Sequence, residues 1–170
     1  MRLIPIVSAA ALAVAASLAP VAAQAAGSTY TAQLSAANEV PANASIARGT
    51  AVFRLSADGS ELEYRLIVAN LENPIASHIH LESAGANGPV VTFLYGPAVP
   101  GSGRTSGVLA TGTITADDLI GMLAGEPLSA LVEAIESGGA YVNVHTNDGV
   151  GEPNTGPGDL ASGEIRGQIG

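Results

Sequence analysis

The 170-residue chain sets six arginines and no lysine against fifteen acidic residues, a net charge of −9, and it contains no cysteine. A surface this acidic disfavours nucleic acid and anionic membranes as partners, since both are polyanions. Without cysteine there is no disulfide, no thiol nucleophile and no lipid-anchored cysteine.

The first 25 residues read as a secretory signal peptide. Arg2 supplies the positive start, Leu3 to Val21 is apolar and small, and Ala23-Gln24-Ala25 fits the cleavage pattern. Pro5, Pro20 and the lack of a basic flank favour cleavage over a membrane anchor. Residues 26–170 then form a single domain, exported to the periplasm or beyond, with five arginines against fifteen acids.

Ser28 to Ser35 alternates and is rich in Thr and Tyr, predicting a first strand; Pro41 keeps the next segment a loop. Gly49–Ser56 and Glu61–Ala69 form the clearest pair. Ala51, Phe53 and Leu55 share one face of the first, and Leu62, Tyr64, Leu66 and Val68 one face of the second. Asp58-Gly59 between them predicts a hairpin turn. Ile75–Ser83 alternates with Ile75, Ser77, Ile79 and Leu81 on one side and Ala76, His78, His80 and Glu82 on the other. Val90–Tyr95 and Thr105–Thr115 read as further strands.

At Thr115-Ala-Asp-Asp118 the period changes to that of a capped helix start. Two short helices, or one broken helix, are predicted up to Gly138-Gly139, with Leu128, Leu131, Val132 and Ile135 at helical spacing. Tyr141–Thr146 is a strand with Val142 and Val144 inward, which turns Asn143 and His145 outward. Asn147–Ser162 has the composition of a flexible surface loop, and Gly163–Ile169 closes the chain as a strand. The sum is an all-β, antiparallel β-sandwich of about eight strands with a short helical insertion.

Several stretches in this order resemble the CHRD (chordin-type) domain family: Ala37-Asn-Glu-Val-Pro41, Thr50-Ala-Val-Phe53, Ser77-His-Ile-His80, Asn87-Gly-Pro-Val90, Tyr141–Thr146 and Gly163–Gln168. The resemblance spans about Thr31 to Ile169 and implies a β-sandwich module outside the cytoplasm. His-Ile-His on such a fold is more weakly similar to the copper strand of copper/zinc superoxide dismutase. That enzyme needs more histidines, an aspartate and normally a disulfide, so two full metal sites are excluded here.

The chain's three histidines, His78, His80 and His145, are the candidate metal ligands. Imidazole suits copper first and zinc second, and a site of three nitrogens leaves a fourth position open. Each ring would need its other nitrogen held by an acceptor, with Glu82, Asn143 or a backbone carbonyl as candidates. The alternative is a structural or protein-interaction domain whose histidines brace neighbouring strands without metal. A dismutase-like metalloenzyme ranks third. Glu39, Glu164 and Arg166 could suggest acid–base catalysis, but an arginine–carboxylate tie between the last strand and the Asn38-Glu39 loop is the preferred reading. Asp148, Glu152 and Asp159 add oxygen ligands near His145 without the spacing of an EF-hand. No Gly-x-Ser-x-Gly elbow or phosphate loop is present. The sequence favours a binding module over an enzyme, its partner a metal ion or a protein.

Overall fold

The computed structural model describes residues 27–170; the predicted signal peptide lies outside the described residues. Eight strands follow in order: β1 Thr29–Ser35, β2 Arg48–Leu55, β3 Leu62–Glu72, β4 Pro74–Leu81, β5 Val90–Tyr95, β6 Arg104–Ile114, β7 Ala140–Thr146 and β8 Ile165–Gln168. One α-helix, α1 (Leu128–Glu136), precedes β7. No helix among the described residues is long and apolar enough to cross a membrane.

The all-β antiparallel architecture and its helical insertion agree with the sequence. The strands form one continuous sheet in the order β5-β4-β7-β8-β1-β2-β3-β6. This sheet curls until it is nearly closed, like a barrel. The Tyr64 hydroxyl, on β3, donates to the Leu94 carbonyl on β5 at 2.7 Å, joining the two flanks of the curl.

The β2–β3 hairpin turns at Asp58-Gly59, where Gly59 adopts φ +73°, a region open to glycine. Leu55 pairs with Leu62, and the predicted faces hold: Ala51, Phe53, Leu62, Leu66 and Val68 are all buried. The alternating pattern of β4 and β7 likewise sends Ser77, Ile79, Val142 and Val144 into the core.

Three elements depart from the sequence reading. β3 continues past Ala69 to Glu72, because Asn70 and Asn73 accept left-handed backbone (φ 56° and 49°) and the ladder to β6 absorbs an irregularity between Val68 and Leu71. The capped segment at Thr115 forms two single 3₁₀ turns, Ala116–Asp118 and Gly121–Leu123, rather than an α-helix. Its capping box is present: the Asp118 carboxylate accepts from the Thr115 amide at 2.8 Å and hydroxyl at 2.9 Å. The final strand is shorter than predicted, and Ile169 beyond it makes a lone bridge to Ala32. In α1, Leu128, Leu131 and Ile135 are buried, and Glu136 accepts from Tyr30 of β1 at 2.7 Å.

Asn147–Ser162, predicted as a flexible surface segment, is instead pinned back onto the barrel. The Leu160 amide donates to the Thr146 hydroxyl at 2.9 Å, and the Gly158 amide donates to Glu164 at 2.8 Å. Asp159 folds onto Thr155, accepting from its amide and hydroxyl.

Candidate metal centre

β4 and β7 lie side by side, with Ala76 opposite His145, His78 opposite Asn143 and His80 opposite Tyr141. Cross-strand partners share a face, so His78, His80 and His145 all stand on the outer side of the barrel wall. Ala76 offers only a methyl group opposite His145, which leaves room for the rings to meet. Their centroids are 4.9 Å (His78–His145), 5.6 Å (His78–His80) and 5.8 Å (His80–His145) apart. One ligand nitrogen from each ring lies within 4.8 Å of the others, the single such group of three among the described residues. Imidazole nitrogens sit about 2.0–2.1 Å from a bound zinc, so shifts of about an ångström draw the set onto one ion.

Two of the rings have a fixed tautomer. The His80 Nδ1 lies 2.9 Å from the Gly88 carbonyl and the His145 Nδ1 3.0 Å from the Ala161 carbonyl. A carbonyl only accepts, so each Nδ1 carries the hydrogen and each Nε2 is a bare lone pair. Both Nε2 atoms, like the Nδ1 of His78, are buried and without a hydrogen-bond partner among the described residues. Gly88 is itself held, its amide donating to the Tyr141 hydroxyl at 3.0 Å. A Cβ at Gly88 would fall 1.8 Å from the Leu81 carbonyl oxygen, so only glycine brings this carbonyl to His80.

The site holds its histidines neutral. Burial pushes His78 and His145 down to about 4; each also feels a neighbouring histidine, and the Ala161 carbonyl partly opposes the shift at His145. Burial lowers His80 as well, against the pull of the Gly88 carbonyl, with the Arg166 charge adding to the depression. Neutral imidazole is the form that binds metal.

Beyond the histidines the face is a polar network. The Tyr141 ring stacks on His80 from β4 (4.9 Å, 11°), and the Arg166 guanidinium, from β8 on the other side of β7, lies 3.7 Å from its centroid. Arg166 is fully buried, and its Nη1 donates to Asn87 Oδ1 at 3.0 Å. Its tie to the Asn38-Glu39 loop is real but takes another form than the predicted ion pair: Asn38 Nδ2 donates to the Arg166 carbonyl at 3.1 Å. Glu39 acts on Arg166 through space. Burial pushes the Glu39 carboxyl up to about 7, with Arg166 and Asn143 pulling the other way.

Glu164 ties the structure together, its two oxygens accepting from Ser45, Thr146 and Gly158. Replacing Arg166 with alanine removes the Tyr141 and Asn87 contacts and leaves a buried void. A loss on the order of 3 kcal/mol is expected, read as a lower midpoint in chemical denaturation. An unchanged midpoint would show that the guanidinium carries no structural load.

The sequence put His78 and His80 on one face and left open whether His145 meets them; the structure brings the three together, and of the candidate acceptors (Glu82, Asn143 or a backbone carbonyl) it uses the last. Glu82 turns to Ser83, accepting from its amide at 2.9 Å, and the buried Asn143 Oδ1 has no partner among the described residues. Two backbone carbonyls do the work instead. Asp148 and Asp159 fold onto their own loop and Glu152 is exposed, so none joins the histidines. Two open depressions of about 380 Å³, one over β1–β3 and one between Ala37–Val40 and Ala84-Gly85, contain no histidine in their walls.

The sequence model of the CHRD domain matches residues 30–152, most of the chain. The protein belongs to the CHRD domain family. No curated protein and no solved structure matches the chain. All three histidines fall within the matched CHRD residues. The match stops before β8, so the Gly163–Gln168 stretch lies outside it, contrary to the span expected from the sequence. β8 and the pinned loop nevertheless complete the sheet of this CHRD domain, and they supply both Arg166 and the Ala161 carbonyl.

Proposed function

We propose that this CHRD domain is a non-enzymatic, extracytoplasmic module that holds one copper ion through His78, His80 and His145, with zinc as the second choice. The observation that carries the reading is the set of three buried, unpartnered imidazole nitrogens turned toward one another. Buried polar atoms are normally satisfied, and three orphans in one place are costly unless an ion completes them. Histidines that only braced the strands would be expected to hydrogen-bond through these nitrogens, which disfavours the structural alternative. Copper leads because nitrogen ligands bind it more tightly than zinc and an exported compartment is oxidising. Three nitrogens, with no fourth ligand grouped with them among the described residues, suit holding and delivering an ion better than dismutase chemistry.

Copper titration followed by visible and electron paramagnetic resonance spectroscopy tests this. Wild type is expected to take up one equivalent with nitrogen ligation, and His80→Ala to lose that signal. Identical titrations of the two proteins would sink the proposal. Metal analysis of protein recovered from the export compartment then distinguishes copper from zinc.

A further inference from the structure

The three ligands are not held alike. His80 and His145 are 8% and 9% exposed, and each has its Nδ1–H locked by a carbonyl. His78 is more exposed, and no hydrogen bond to either of its ring nitrogens is present among the described residues. Its buried, unpartnered nitrogen is Nδ1, the other two rings' Nε2. It meets Phe93, its partner across β4–β5, edge-on at 4.5 Å. Phe93 is 48% exposed, a large apolar ring left half in water beside an otherwise sealed cluster. The 82–89 and 147–164 loops close the flanks at His80 and His145, since they supply Gly88 and Ala161.

We infer that metal passes in and out of the site on the His78 side, with His78 as the ligand that releases first and Phe93 as the shield that slows the exchange. The inference rests on the copper reading above. An orienting acceptor normally strengthens a ligand and fixes its ring, and its loss typically costs about 10–100-fold in metal affinity. His78 is the ligand built without one. The step is a ligand substitution with no change of oxidation state. A lone pair of the incoming base forms a bond to copper at the open fourth position. The bond from copper to His78 Nδ1 breaks, and that nitrogen keeps its lone pair on a neutral ring. His80 and His145 then hold the ion as a pair until further donors remove it.

The test loads the full domain with cuprous ion under ascorbate and follows its extraction by excess of a phenanthroline-type chelator. Phe93→Ala is expected to keep one equivalent of copper and to release it about tenfold faster than wild type, with Phe93→Leu in between. His78→Ala is expected to retain copper on two imidazoles with faster release. His80→Ala and His145→Ala are expected to fail to hold it through a desalting column. Circular dichroism confirms that each variant is folded, which Phe93→Leu, the mildest change, secures. Equal release from wild type and both Phe93 variants would overturn the route, as would His145→Ala retaining copper as well as His78→Ala. Wild type that takes up no copper would instead overturn the site itself.

Discussion

Metal-free protein carrying Glu39→Gln is expected to lose several kcal/mol of stability as the pH falls from 6.5 to about 4. The histidines set the sign. In the unfolded chain each titrates near 6.5, whereas the folded protein holds His78 and His145 neutral down to about 4. Between those values the unfolded state binds protons that the folded state refuses, so acid favours unfolding. The stability is fully present above 6.5 and is lost on the way down. For His145 this amounts to about 3 kcal/mol, at about 1.4 kcal/mol per pH unit. His78 adds less, because its more open ring is partly screened by water.

Glu39 runs the opposite way. Its carboxyl titrates near 4.5 when unfolded and about 7 in the fold, so it costs stability as the pH rises through that window. Wild type is therefore expected to show a shallower acid loss than Glu39→Gln, and His145→Gln a shallower loss still. Urea midpoints from pH 4 to 8 measure all three. A flat profile for Glu39→Gln would mean that the histidines are not held neutral.

Much of this site is written in strand parity. Period-two alternation alone put His78 beside His80 and turned His145 outward with Asn143. What parity does not contain is register, which decides that β7 lies against β4 with Ala76 opposite His145. The orienting carbonyls of Gly88 and Ala161 were also illegible, because every residue has a carbonyl and only the folded loops aim these two. Gly88-Pro89 carried a faint signal, as a glycine where the backbone must pass close to Leu81; Ala161 carried none. The hairpin at Asp58-Gly59 and the stripe of α1 were legible because they depend on local chemistry. The extension of β3 through Asn70 was not, since it depends on a neighbouring strand accepting an irregular ladder.

Replacing Glu164 with alanine is expected to be more damaging still. Its carboxyl group is almost completely buried and accepts from the Ser45 hydroxyl (2.5 Å), the Thr146 hydroxyl (2.5 Å) and the Gly158 amide (2.8 Å). Those donors belong to the segment before β2, to β7 and to the 147–164 loop, so one side chain ties three parts of the chain together. Truncation strands three donors and opens a void, at about 1 kcal/mol or more for each unpaired group and over 3 kcal/mol in total. Glu164→Gln is expected to fall between, because its amide oxygen, in the place of Oε2, keeps the Thr146 and Gly158 donors while its N–H group faces the Ser45 hydroxyl. Chemical denaturation reads the loss, and a midpoint within error of wild type would refute the tie. The same substitution frees the loop that carries Ala161, so it is also expected to weaken copper retention at His145, a residue it does not touch.

The histidines and the barrel interior draw on alternate residues of the same two strands. Ser77, Ile79, Val142 and Val144 look inward, while His78, His80, Tyr141, Asn143 and His145 look outward. The wall is thus a printed board with its chemistry on one surface and its support on the other. Exchanging the outward residues and the two loops above them would give the same barrel a different outer surface without redrawing the core. A fold arranged in this way can gain or lose a surface site by changes confined to one side.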